Sequence, residues 1–228
     1  MQMSRIRNIV FASQGGTGKS SLIASLLHRM NILSKLPRKE EIFKACDYAP
    51  EELNRGFTIT SKVFTAKYKD YLLNLLDTPG YPDFSGEIIG AIQAVESAVV
   101  VVDATGSIEV QTERVWEWIK EKNLPRVVFV NKIDRDEADF KKLWHELEEK
   151  LEVEFIPLYL PYEKKLVSIL EEDSPPESLK QEIEEIREKI IERAAESTDE
   201  LTEKYLEEGG LSKEEIEEGI REQVRSGN

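Results

Sequence analysis

Three short segments carry residue types that could do chemistry together: Ser13-Gln14-Gly15-Gly16-Thr17-Gly18-Lys19-Ser20, Asp77-Thr78-Pro79-Gly80 and Asn131-Lys132-Ile133-Asp134. The first lies between an apolar run, Arg5 to Ala12, and a stretch with helical apolar spacing, Ser21 to Leu36. Strand, glycine loop, Gly-Lys-Ser and helix is the order that a phosphate-cradling loop requires. Successive backbone N–H groups and the positive end of a helix dipole converge there on an anion. Gly15, Gly16, Thr17, Gly18 and Ser21 would line the cradle, Lys19 would reach the terminal phosphates, and the Ser20 hydroxyl would bind Mg2+. An ordinary Gly-rich turn is the plainer alternative for this loop alone, because Ser13 stands where the usual pattern opens with Gly.

The other two segments narrow the chemistry. Asp77 follows an apolar strand 58 residues after Lys19. A carboxylate at that strand end can hold Mg2+ through water, and the Gly80 N–H can contact a terminal phosphate. Asn131 ends another strand, 54 residues after Asp77. The Asp134 carboxylate can accept two hydrogen bonds from the N1–H and exocyclic amine of guanine, whereas adenine offers the wrong donors. Asn131 can bond the other base edge, and the Lys132 stem can cover the ring plane. Each tetrapeptide alone could be a turn. In this order, each at a strand end, they point to GTP or GDP.

The elements that must position these groups alternate. Strands are expected at Arg5 to Ala12, Ile59 to Tyr68, Tyr71 to Leu76, Ala98 to Asp103, Arg126 to Val130 and Glu154 to Leu160. Helices are expected at Ser21 to Leu36, Ser85 to Val95, Val110 to Lys122 and Asp136 to Leu151, with Val110, Val115, Trp118 and Ile119 facing the sheet. The two residues Lys69-Asp70 imply a hairpin, hence one antiparallel edge strand on an otherwise parallel, doubly wound α/β sheet. Ligands of such sheets bind at the carboxyl ends of the strands, where all three segments fall.

From Ser174 onward the pattern is helical. Ser174-Pro175-Pro176-Glu177 reads as a capping box, and further helices start at Ser197 and at Ser212. Leu179, Ile183, Ile186, Ile190 and Ala194 share one face of the first. Of the net charge of −14, residues 171–228 hold −12 and residues 1–170 only −2. This acidity argues against sequence-specific nucleic-acid binding and for a basic protein partner or for solubility. No apolar stretch approaches the ~20 residues of a membrane span. The single cysteine, Cys46, forms no internal disulfide and fits a reducing cytoplasm. His28 and His145 read as structural or surface residues, without metal-ligand spacing.

Glu52-Leu53-Asn54-Arg55-Gly56-Phe57-Thr58-Ile59 resembles the ERGITI-type segment of translational GTPases. With it, with Thr112-Glu113-Arg114-Val115-Trp116 and with Leu124-Pro125-Arg126, the chain resembles the nucleotide-binding domain of elongation factor G and its relatives. The resemblance implies a P-loop GTPase domain over 1–157 and an acidic, mainly helical inserted subdomain over 158–228, cut before the last strand of the nucleotide domain. It implies Mg2+ held by Ser20, Thr58 and Asp77, with Thr58 as the switch residue that lets go after hydrolysis. Lys19, Thr58, Gly80 and the residue at Tyr81 would support attack of water on the γ-phosphate. It also implies a monomer that acts at the factor-binding site of the ribosome and touches the stalk protein through acids such as Glu182, Glu184, Glu185 and Glu188. Two departures matter. Gly16 replaces an acid that many translation factors carry, and Tyr81 replaces a water-positioning histidine. Losing such a group typically costs ~10^2–10^4 in rate, so a GTP/GDP switch with negligible hydrolysis is the alternative.

Overall fold

The computed structural model describes residues 5–36, 49–163, 165–171 and 174–227. Cys46 and the first part of the 38–57 connection lie outside them. By packing the chain divides into two compact units, Met1–Asp139 and Phe140–Asn228.

In the first unit the strands are β1 (Ile6–Ala12), β2 (Lys62–Tyr68), β3 (Tyr71–Asp77), β4 (Ser97–Asp103) and β5 (Arg126–Asn131), in sheet order β2-β3-β1-β4-β5. Four run parallel and β2 is the antiparallel edge, paired with β3 from Lys62↔Asp77 to Tyr68↔Tyr71. The doubly wound α/β sheet read from the sequence is therefore the fold. The helices are α1 (Lys19–Arg29), α2 (Pro50–Arg55), α3 (Ser85–Gln93) and α4 (Val110–Glu121). Alternation along the strands sorts the core by face. Phe11, Leu75, Val101 and Ala66 pack with Ile23 and Leu27 of α1. Val10 and Val100 have the opposite parity and are fully buried, as are Ile88 of α3 and Val115 and Ile119 of α4.

Local chemistry moved several expected boundaries. Helix α1 starts at Lys19, because Gly18 in the left-handed region already turns the chain. It stops at Arg29 rather than Leu36. Asn31 takes φ 59°, its N–H reaches His28 O at 2.9 Å, and Ile32 N reaches Leu27 O at 2.9 Å. That is a Schellman stop with Asn in the glycine position. Leu33 still packs on the α1 core, so its periodicity continued past the true end. In α4 the buried face is Gln111, Thr112, Val115, Trp116 and Ile119, while Val110 is exposed.

The second unit holds α5 (Phe140–Leu151), the hairpin β6 (Tyr159–Tyr162) and β7 (Lys165–Ser168), and α6 (Lys180–Ala195), α7 (Asp199–Glu208) and α8 (Lys213–Ser226). Glu154 to Leu160 is not a strand of the large sheet. Trp144 Nε1 donates to Phe155 O at 3.0 Å and Phe155 N donates to Glu148 Oε1 at 3.1 Å, so α5 side chains claim the backbone that a strand would pair. Leu160 and Val167 of the hairpin instead join Ile183, Ile186, Ile190 and Ile216 in a core of their own. Helix α6 opens at Lys180 after a 3-10 turn, Glu177–Leu179, and not at a Ser174 capping box. The box at Ser212 is present, with Glu215 Oε2 accepting from Ser212 N at 2.8 Å.

Helix α8 meets α6 at Gly219, where a Cβ would stand 2.5 Å from Ala194 O and 2.7 Å from Ala194 Cβ. Overpacking such a contact costs about 1–3 kcal/mol. Gly219→Leu is expected to lower the stability of the second unit in urea by that amount, whereas Leu206→Ala, at an exposed α7 position, leaves it unchanged. Equal midpoints for both variants would remove this contact as a determinant.

Candidate functional site

Residues 13–18 follow β1 directly and lead into α1. The loop is held by hydrogen bonds from several sides. Ser13 Oγ and Thr17 Oγ1 share one at 2.8 Å. Gln14 N donates to Thr112 Oγ1 at 3.1 Å, and Gln14 Oε1 accepts from Thr112 Oγ1 at 2.7 Å and from Glu109 N at 2.8 Å. Gln14 thereby ties the loop to the start of α4. Thr112, part of the segment that carries the resemblance, thus has a structural task in holding Gln14. Gly16 and Gly18 take φ 76° and 96°, which L side chains rarely adopt.

Lys19 is buried beneath the loop. Its Nζ donates to Gln14 O at 2.7 Å and Ser13 O at 3.2 Å. Burial pushes the ammonium down to about 8, and the nearby Asp77 carboxylate opposes that shift only in part. Next to it, Ser20 Oγ donates to Asp77 Oδ2 at 2.6 Å and lies 3.4 Å from Thr58 Oγ1. Asp77 and Thr58 are both buried. Two hydroxyls and a carboxylate from three distant segments thus converge at one point. This all-oxygen set fits a hard cation such as Mg2+, which takes one or two protein groups and completes its shell with water and phosphate. Among the described residues no group of three His, Cys, Asp or Glu side chains could hold a metal ion.

The segment after β3 lies directly against the loop. Thr78 Oγ1 donates to Phe11 O at 2.8 Å, and a Cβ on Gly80 would stand 2.5 Å from Gly15 N and 2.6 Å from Gln14 O. Only glycine permits that backbone approach. Tyr81 follows, with its ring over Gly15: a Cβ there would meet Tyr81 Cζ at 3.2 Å. The same ring packs on Phe57 with centroids 4.6 Å apart.

Residues 131–134 close the other side. Asn131 Nδ2 donates to Thr17 O at 2.8 Å and Lys132 Nζ to Gly16 O at 2.8 Å, so both side chains tie the end of β5 to the glycine loop. Lys132 also pairs with Asp103 at the end of β4. Burial favours the neutral Asp103 acid, but Lys132 and the Thr105 N–H and hydroxyl outweigh it and hold the carboxyl below its usual value. Asp134 is exposed in the turn beyond, and Ser21 sits in the first turn of α1, its carbonyl accepting from Ser25 Oγ at 2.9 Å. Asp103 was legible only as the last residue of an apolar strand; its pairing had no signal in the spacing. His28 has a structural place, its Nδ1 3.0 Å from Leu33 O, and His145 is exposed, 4.0 Å from Glu148.

A glycine loop, a lysine and an oxygen triad at the carboxyl ends of a doubly wound sheet define a P-loop nucleotide-binding protein. The elongation factor Tu GTP binding domain model matches residues 4–218, so the chain belongs to that family of translational GTPase domains. A crystal structure of a protein from Thermus thermophilus superposes with a TM-score of 0.88 at 30% identity over 98% of this chain. The chain spans 36% of that relative's length. The elongation-factor-G-like resemblance read from the motifs stands with these matches.

The depressed Lys19 ammonium gives the site a pH dependence. Above pH about 8 the free protein releases this proton, and a lysine that is to hold a phosphate must be charged. Guanine-nucleotide affinity is expected to be nearly flat from about pH 6.5 to 7.5 and then to fall with a slope approaching tenfold per unit. Calorimetry at about pH 8.5 in two buffers of different ionisation enthalpy should show proton uptake on binding; proton release would refute the assignment.

Proposed function

We propose that this chain binds Mg2+ and GTP and hydrolyses GTP as the nucleotide domain of an elongation factor G-like translation factor working on the ribosome in the cytoplasm. The observation that carries the reading is the meeting of Ser20, Thr58 and Asp77 beside Lys19, because the three come from distant segments, Ser20 lying 38 residues from Thr58 and 57 from Asp77. In this reading Gly15, Gly16, Thr17, Gly18 and Ser21 cradle the phosphates, Ser20, Thr58 and Asp77 would hold Mg2+, which would supply positive charge against the phosphates, and Asn131, Lys132 and Asp134 select guanine. The division into a nucleotide domain over 1–157 and an acidic insertion over 158–228 belongs to the same proposal. So do a monomeric state and a stalk contact through α6, where Glu184 and Glu188 join Glu182, which pairs with Lys141, and Glu185, which accepts from Gln181. No helix among the described residues is long and apolar enough to cross a membrane.

One observation favours a second reading, a GTP/GDP switch that scarcely hydrolyses. Tyr81 stands on the loop with its ring against Phe57 and Gly15, and the larger phenol cannot directly replace an imidazole that positions the attacking water. Phosphate release from GTP, with and without ribosomes, separates the two. Strong ribosome stimulation of the unsubstituted protein supports the hydrolase. No stimulation, with a gain of about 10^2-fold or more in Tyr81→His, supports the switch.

Base selection has its own test. Asp134→Asn removes an acceptor for two guanine donors, so GTP and GDP should both weaken about 10^2-fold, while xanthosine nucleotides, which carry an oxygen in place of the amine, should gain. ATP binding as tight as GTP in the unsubstituted chain would overturn the guanine assignment.

A further inference from the structure

Lys62 occupies a position on β2 that the strand's alternation sends inward, with Phe64 and Ala66. An ammonium 5% exposed in that place requires a partner. It has one in Glu52 of α2, itself 1% exposed, whose Oε1 lies 2.7 Å from Lys62 Nζ. The same oxygen accepts from Ile59 N at 2.8 Å and Thr60 N at 3.1 Å. Burial opposes ionisation of this carboxyl, yet the lysine and the two amides together hold it below its ordinary value.

The geometry of the segment follows from these bonds. Lys62 is fixed at its far end by register, opposite Asp77 on β3. Ser61 is tied down beside it, its N–H to Glu87 Oε2 at 2.7 Å and its hydroxyl to Glu87 O at 3.1 Å. Glu52 reaches across from α2 and takes hold of the two amides that immediately follow Thr58. The turn between is closed by Gly56, at φ 71°, whose N–H reaches Glu52 O at 2.7 Å. Residues 52–62 therefore form a loop closed on one carboxylate, and Thr58 is the member whose hydroxyl emerges beside Ser20 and Asp77.

We infer that the buried Glu52–Lys62 pair is a latch that positions Thr58 for Mg2+ and the γ-phosphate, so that these two residues set the preference for GTP over GDP without touching either. The inference rests on the Mg2+-GTP reading of the site. Neither residue is a ligand. Glu52 acts through the Ile59 and Thr60 amides, and Lys62 keeps Glu52 charged and in place. Such supporting groups typically change metal-linked affinity by about 10–100-fold when removed. GDP lacks the phosphate beside which Thr58 would close, so its affinity is expected to be insensitive to the latch.

The test measures dissociation constants of a non-hydrolysable GTP analogue and of GDP, each with Mg2+ and with EDTA, together with the thermal midpoint. Glu52→Ala and Lys62→Met are each expected to weaken the Mg2+-bound GTP analogue at least about tenfold and GDP less than about twofold. Glu52→Gln combined with Lys62→Met keeps an acceptor for both amides and removes both charges, and should return the analogue to within about threefold of the unsubstituted chain. Trypsin should cut faster after the exposed Arg55 in the single variants than in the double. If Glu52→Ala does not fold, Lys62→Met and the double variant carry the comparison. Equal losses for the analogue and GDP, following the thermal midpoint, would overturn the inference by showing a purely structural pair. Unchanged discrimination in folded single variants would overturn it as well. An unsubstituted chain without Mg2+-dependent GTP binding would sink the functional reading and this inference together, which distinguishes that failure from the others.

Discussion

Everything at the site depends on the level at which the parallel strands end. Phe11 of β1 is opposite Asp77 of β3, Ala12 is opposite Val100 of β4, and Asp103 of β4 is opposite Asn131 of β5. Parallel pairing with inward apolar side chains permits no slip, because one residue of displacement would turn Phe11, Leu75 and Val101 away from α1. The register that buries the core is thus the register that sets Asp77 under Ser20 and brings Asn131 and Lys132 back onto the glycine loop. Core packing and site geometry are one constraint.

A second condition is close backbone approach. Gly80 can lie against Gly15 and Gln14 because neither side of the contact carries a side chain in the way. The contact couples the end of β3 to the loop with no hinge between them. A displacement of the 78–81 segment must therefore be felt at the Gly15 amide, and the Thr78–Phe11 bond opposes such a displacement. Tyr81 enters this arrangement at its most sensitive point, packed between Phe57 of the 49–62 segment and the loop. Its ring packs the 78–81 segment against both of the others.

The site was legible in the sequence where function and periodicity coincide. Apolar runs that stop abruptly mark strand ends, so the places of Asp77 and Asn131 followed from the strands themselves. Side chains that act on backbone groups left no such mark. Lys62 reads as one polar residue on an alternating edge strand, and nothing in the spacing says that its face is the buried one or that Glu52 lies beneath it. Gln14 and Thr112 are 98 residues apart and pair only after α4 has packed. The strand expected over Glu154 to Leu160 fails for the same reason, because Trp144 and Glu148 take the hydrogen bonds of the Phe155 backbone. Asn31 ended α1 early because a single left-handed residue outweighs continued apolar spacing.

Charge burial ties these parts to a direction of action. Lys19, Glu52, Lys62 and Asp77 are all nearly inaccessible, and a buried charge is tolerable only where its partners are strong. Glu52 and Lys62 meet this on one side, with a short ion pair and two amides on Glu52 Oε1, while Glu52 Oε2 is buried without a hydrogen-bond partner among the described residues. Lys19 is held by carbonyls instead: two solvate it, Asp77 offsets the desolvation only in part, and its pKa stays depressed. An anion at the loop would relieve that deficit. The fold therefore keeps two buried charge centres joined through Thr58, one closed on an ion pair and one whose lysine an anion at the loop would meet.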